Sequence, residues 1–197
     1  MVKINQTNGE KSPITKGKEY DRTPNNKEYK IMKSLRENIK YWGKIYGTEK
    51  LFFLTLTFAE QITCPKISQT RFNIFCTQFN RIKGVQWLYK GIEPQKSGRL
   101  HYHIIGKCDQ DLGGEDFDWE SLKKAHEFWQ IKKIGMARKY TVKYSKTANK
   151  ILKTMWKKVA DLAKGSGFGR SEFLPVRSVN SIGSYVGKYL SKTFDSS

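Results

Sequence analysis

Acidic residues are scarce in this chain. Its 197 residues hold 18 Asp and Glu against 37 Lys and Arg, a formal net charge of +19. An excess that large fits a small-molecule enzyme poorly and calls for a polyanionic partner, nucleic acid first and an anionic membrane surface second. Cysteine is scarce too. Cys64, Cys76 and Cys108 form no CxxC spacing and no even set, which argues against a disulfide framework and for a reducing compartment. The opening MVKINQTNGE has no apolar core, so no secretory signal is expected. Long hydrophobic runs are missing as well. The longest near-apolar stretch, Leu51–Ala59, is too short to span a bilayer and contains Thr55 and Thr57. No internal repeat is evident. GSGFGR lacks the GK[ST] of a phosphate-binding loop and reads as a flexible turn. These absences leave a soluble, cytoplasmic protein without membrane partners, long enough for one domain with a real core.

What is present is charge interleaved with aromatics, which make up 13% of the chain and suit base stacking as well as packing. Residues 1–26 are polar and basic and read as a flexible N-terminal arm; residues 27–197 read as a single domain. From Asn26 to Tyr46, Ile31, Leu35, Ile39, Trp42 and Ile45 recur at helical spacing, and Gly47 ends the run. Leu51–Phe58 alternates as a strand. A helix after Pro65 carries Phe72, Phe75, Cys76, Phe79 and Ile82 on one stripe. Gln86–Glu93 is a strand, and PQKSGR turns the chain back into the next one, Leu100–Ile105, as a hairpin. An acidic loop leads to a helix with Trp119, Leu122, His126 and Trp129 on one side, where His126 reads as a helix-face residue.

Gly135–Tyr144, with Met136, Arg138, Tyr140 and Val142 alternating, is expected to be a strand. Ala148, Ile151, Leu152, Met155, Val159 and Leu162 trace an amphipathic helix with Lys150, Lys153, Lys157 and Lys158 on its wetter side. That face is either solvated or meets a phosphate backbone. Phe168–Arg177 is the expected last strand and Asn180–Lys192 the last helix. The succession predicts an α+β fold with a mostly antiparallel sheet.

Two stretches carry candidate chemistry. On the strand LHYHII, His101 and His103 point to one face and Leu100, Tyr102 and Ile104 to the other. Two such imidazoles can grip one metal ion, or they simply alternate on a half-buried strand. Glu93, across the hairpin, can come near both; two imidazoles and a carboxylate leave open positions on a divalent ion. In YVGKYLSK, Tyr185, Lys188, Tyr189 and Lys192 stand at i, i+3, i+4 and i+7, one helical face. Ammonium groups beside a tyrosine favour its phenolate. Tyrosine, lysine and a metal on a basic protein point to phosphoryl transfer on nucleic acid; a basic helix on a plain DNA-binding module is the other reading.

TLTF (Thr55–Phe58), GRLHYHII (Gly98–Ile105) and YVGKYLSK (Tyr185–Lys192), in that order, resemble the three motifs of the HUH endonucleases. More narrowly, they resemble rolling-circle replication initiators of small single-stranded-DNA phages and plasmids, as do the spacing of Trp129 and Gly135 and the run LPVRSVNSIGSYVGKY. The resemblance covers roughly residues 50–195. It implies a ferredoxin-like antiparallel sheet with the histidine strand central and the tyrosine helix near it. It implies Mg²⁺ or Mn²⁺ held by His101, His103 and, by position, Glu93. It also implies nicking of single-stranded or hairpin origin DNA by Tyr185 or Tyr189 with Lys188, leaving a 5′-phosphotyrosine and a free 3′-OH. Lys192 and Arg99 are expected to meet the DNA.

The lysine-rich helix near residues 146–164 looks like an insertion relative to that pattern. No helicase domain follows, so a host helicase is the expected partner. The competing assignments are an HUH transposase or relaxase, a non-catalytic single-stranded nucleic-acid-binding protein, and a cupin-type metal enzyme. A cupin would carry Glu shortly after the second histidine, where this chain has Lys107 and Cys108.

Overall fold

A computed structural model describes residues 26–95, 97–180 and 182. Residues 1–25 of the arm expected at 1–26, and the expected tyrosine-lysine face of Tyr185, Lys188, Tyr189 and Lys192, lie outside the described residues. The elements run α1 (Asn26–Tyr46), β1 (Leu51–Phe58), α2 (Pro65–Phe79), β2 (Val85–Pro94), β3 (Leu100–Cys108), α3 (Trp119–Gln130), α4 (Ile134–Thr147), α5 (Lys150–Gly165) and β4 (Phe168–Pro175). The strands form one sheet in the order β2-β3-β1-β4, and every neighbouring pair is antiparallel. This is the α+β, ferredoxin-like arrangement expected, with the histidine strand β3 in the interior of the sheet.

The period-two pattern of β1 sorts its side chains to two cores. Phe52, Leu54, Leu56 and Phe58 are buried with Tyr102 and Ile104 of β3, under α2 (Phe72, Phe75, Phe79) and α5 (Leu152, Met155, Val159). Burying each such side chain contributes about 1.5–3 kcal/mol. Tyr102, with no exposed surface, stacks on Phe72 with ring centroids 4.1 Å apart, and its hydroxyl lies 2.7 Å from that of Ser68. That hydrogen bond removes the cost of burying two polar groups.

On the opposite face Leu51, Phe53 and Ile105 pack with Leu35 and Ile39 of α1, Val176 and Ile182. Helix α1 therefore covers only one end of this face, and the histidines occupy the other. Ile45, expected at helical spacing with the other apolar positions of α1, is 56% exposed, while Trp42 and Tyr46 one turn apart pack against this core. Gly47 closes it at φ 87°, a left-handed conformation open to glycine.

One element differs in kind. The expected strand Gly135–Tyr144 lies within helix α4. Met136 and Val142 alternate as in a strand but are exposed, while Ala137 is buried. Ala137, Tyr140 and Tyr144 stand at i, i+3 and i+7, and Tyr140 stacks on Phe128 of α3 with centroids 5.5 Å apart. The helical hairpin with α3 thus outweighs a short alternation that lacks β-branched density. Asn149 caps α5, its side chain accepting from the Leu152 amide at 2.8 Å. Trp129 of α3, expected on one side with Trp119 and Leu122, is 39% exposed near the α3–α4 turn. No described helix is long and apolar enough to cross a membrane.

Candidate functional site

Strand register builds the site. Antiparallel pairing sets Glu93 beside His101, His101 beside Thr57, and Thr57 beside Arg170. The next row on the same face reads Gly91, His103, Thr55 and Glu172. Residues directly across strands share a face, so both histidines look out between a hairpin carboxylate and two threonines. Gly91 carries no side chain opposite His103, which leaves the diagonal from Glu93 open.

Each imidazole is held by its Nδ1. Thr57 Oγ1 lies 3.4 Å from Nδ1 of His101, and Thr55 Oγ1 lies 3.2 Å from Nδ1 of His103. The Phe53 ring stacks on His103 at 5.6 Å between centroids. The two Nε2 atoms differ. That of His103 lies 2.8 Å from Glu93 Oε2, in a buried pair. That of His101 is buried with no hydrogen-bond partner among the described residues. A buried acceptor left unmet costs about 1–3 kcal/mol, and a cation or a water would remove that cost. Burial first, then neighbouring His103, with Arg99 and Arg170 acting the same way and Glu93 opposing, push the His101 imidazole from 6.5 down to about 4. It is neutral near pH 7, the form that ligates metals.

The donor set of two imidazoles and one carboxylate suits a divalent ion. As they stand, no three His, Cys, Asp or Glu side chains among the described residues are drawn tightly enough together to hold one. His103 is closed on Glu93 instead. Arg99 sits on the hairpin turn, half-buried, its Nη2 donating to Gln95 Oε1 at 3.4 Å and its Nε buried without a partner among the described residues.

Several neighbours of the site are not legible in the sequence. Thr55 and Thr57 belong to the quoted TLTF stretch, but only the β1–β3 register shows them behind the imidazoles. Glu172 of β4 is in register with Thr55 and lies 2.7 Å from Nε2 of His126, the residue read as a plain helix-face histidine. Arg170 Nη2 donates to the same Glu172 oxygen at 3.3 Å. Burial would raise the Glu172 carboxyl, but the hydrogen bond and charge of His126, with Arg170, outweigh it and hold the carboxyl below its ordinary value. No sequence signal joins His126 to Glu172, which lie 46 positions apart.

Residues 51–150 match the model of the replication-associated protein family of the ORF2 type. The phasyl DNA replicon protein arp of Escherichia coli is 36% identical over 168 residues, covering 85% of this chain and 52% of that protein. The chain thus spans about half the length of the curated relative it matches. No solved structure matches it.

Proposed function

The chain belongs to the ORF2-type replication-associated protein family, and from that premise we propose that it is a rolling-circle initiator of the HUH endonuclease type. It nicks one strand of single-stranded or hairpin origin DNA and later rejoins it. The observation that carries this reading is the row geometry: His101 and His103, each backed by a threonine and both buried, flanked by Glu93 at the end of the sheet that α1 does not reach.

His101 and His103, with Glu93, would hold Mg²⁺ or Mn²⁺, which when bound polarises the scissile phosphate and stabilises its developing charge. The chain's own residues do the rest. The Tyr185 phenol, its ionisation favoured by Lys188 three residues on, supplies the oxygen that forms a bond to phosphorus. The P–O3′ bond breaks, and the departing 3′ oxygen takes up a proton. A 5′-phosphotyrosine and a 3′-OH result. Attack by a 3′-OH on that ester reverses the exchange and reseals the strand without ATP. Tyr189 and Lys192 repeat the same pairing in the sequence, and Arg99 stands on the turn beside the histidines to meet the phosphate backbone. A host helicase would open the duplex.

The experiment is a nicking assay on a random pool of single-stranded oligonucleotides with Mn²⁺, Mg²⁺ or excess chelator. Denaturation-resistant protein–DNA adducts are then counted. Adducts should need the divalent ion and should vanish in His101→Ala and His103→Ala while binding persists. Full adduct yield in chelator would remove the metal from the mechanism, and no adduct under any condition would remove the cleavage.

A further inference from the structure

The side of α5 turned away from the sheet has no part in the site just described. Leu152, Met155, Val159 and Ala163 are buried against the face of the sheet opposite the histidines. The helix also carries five lysines and a single carboxylate, Asp161. Lys150, Lys153, Lys157 and Lys164 fall within about 60° of one another around the helix axis at 100° per residue, and all four are exposed. They extend about 21 Å along the axis at 1.5 Å per residue.

Lys150, Lys153 and Lys157 of this ridge line one groove with Lys158 and Asp161, and Lys158 also lines a second groove with Arg81 and Lys83, just past the end of α2. The two grooves adjoin at Lys158 and Asp161. None of these cations makes an ion pair among the described residues, whereas Lys40, Arg71, Lys107 and Lys124 do.

We propose that this ridge and the adjoining groove bind the phosphate backbone of duplex DNA, on the opposite side of the sheet from the histidines. The choice of duplex over single strand follows from what lines the surface. Single-strand sites combine charge with aromatic rings on which bases stack. Here the lining side chains are Lys, Arg, Thr, Gln and Asp with Ile82 and Leu162, and no aromatic ring is among them. Charge without a stacking platform reads phosphates and leaves stacked bases alone. The lysine ridge, about 21 Å long, matches about six base pairs at 3.4 Å each. One molecule can then hold duplex on one side of the sheet while the histidine side works on an opened strand. The inference takes DNA as partner from the functional reading above but is independent of the metal and the tyrosine.

The test measures binding of the full chain to a 20-base-pair duplex of arbitrary sequence, and to a single strand of equal length, by fluorescence anisotropy across a salt series. Lys150→Gln/Lys153→Gln/Lys157→Gln should weaken duplex binding at least about tenfold near 0.1 M salt and flatten the logarithmic salt slope by nearly 3, at about 0.9 per phosphate contact. Adduct formation on single strands should be unchanged. Asp161→Asn, which removes the carboxylate between the lysines, should tighten duplex binding. Duplex affinity and slope equal to wild type in the triple variant overturn the proposal. So does an equal loss on single strand and duplex, or an Asp161→Asn variant no tighter than wild type. A wild-type chain that forms no adducts, while the triple variant still loses duplex binding, would count against the nicking mechanism and leave the duplex surface standing.

Discussion

Thr55 Oγ1 lies 3.2 Å from Nδ1 of His103, directly across the β1–β3 pairing, and Thr57 repeats the contact with His101 one row along. Two hydroxyls on a central strand thus set the rings of two histidines on its neighbour. For His101 the tautomer is the ligating one when Nδ1–H donates to Thr57, because Nε2 then keeps its lone pair. For His103 the contact with Glu93 requires a proton between Nε2 and the carboxylate, so a metal that takes both groups must displace it.

If the histidines ligate a metal as proposed, the threonines would position them without touching the reacting atoms. Thr55→Val and Thr57→Val keep the side-chain shape and delete the hydroxyl. Each should lower Mn²⁺ affinity about 10–100-fold, the usual cost of losing a partner behind a ligating histidine. Calorimetric titration of Mn²⁺ reads this directly, with an unchanged unfolding midpoint as the folding control. Wild-type affinity in both variants would remove the threonines from the site.

Acid should destabilise the protein through His101. Its folded pKa is about 4 against 6.5 for the free imidazole, so between those values the unfolded chain binds the extra proton. Stability is then fully present above pH 6.5 and lost as pH falls, by up to about 1.4 kcal/mol per pH unit. The loss levels off near pH 4, although Glu172, held below its ordinary value, begins to add its own loss there. Urea unfolding at half-unit pH steps should show the slope, and His101→Gln should flatten it between pH 6.5 and 4.5. A wild-type curve already flat in that window would contradict the burial argument.

How far the chain can be read from its sequence depends on which force shapes each part. β1 and β3 are legible because both faces of a central strand are committed, so alternation in LFFLTLTF and LHYHII fixes register and facing together. The nearness of Glu93 to the histidines follows from a short hairpin. α4 reads wrongly as a strand because Met136, Arg138, Tyr140 and Val142 alternate by chance, while its real constraint, packing on α3, is tertiary. The threonine contacts and the His126–Glu172 pair are hidden for a different reason. They depend on which strand lies beside which, and β4 reaches β1 only after two strands and four intervening helices.

The buried hydroxyl pair offers a test of the other core. Ser68 has no exposed surface, and its hydroxyl lies 2.7 Å from that of Tyr102. Tyr102→Phe takes that partner from the Ser68 hydroxyl and should cost about 1–3 kcal/mol. Adding Ser68→Ala should recover part of the loss, since neither group then needs a partner, and a double-mutant cycle in urea measures the coupling. Strictly additive losses would mean that the two hydroxyls do not depend on each other.

The nucleophile is posed by the sequence in a specific form. YVGKYLSK holds two overlapping YxxK units, Tyr185 with Lys188 and Tyr189 with Lys192. On a helix the two tyrosines are one turn apart, about 6 Å along the axis, close enough to serve one phosphate in turn. Either one attacks while the other orients the strand, or the two alternate, one cutting while the other holds the 5′ end. Tyr185 is expected to make the first cut, because its lysine lies deeper in the expected helix. Tyr185→Phe, Tyr189→Phe and the double variant, each incubated with Mn²⁺ and single-stranded DNA, separate these schemes when adducted peptides are mapped by mass spectrometry. Loss of first-strand adducts in Tyr185→Phe alone supports the assignment, and loss in Tyr189→Phe alone reverses it. Adducts on both residues of the wild type, abolished only in the double variant, mean alternation. A double variant that still forms adducts would end the tyrosine mechanism, since neither phenol would then be the atom bonded to phosphorus.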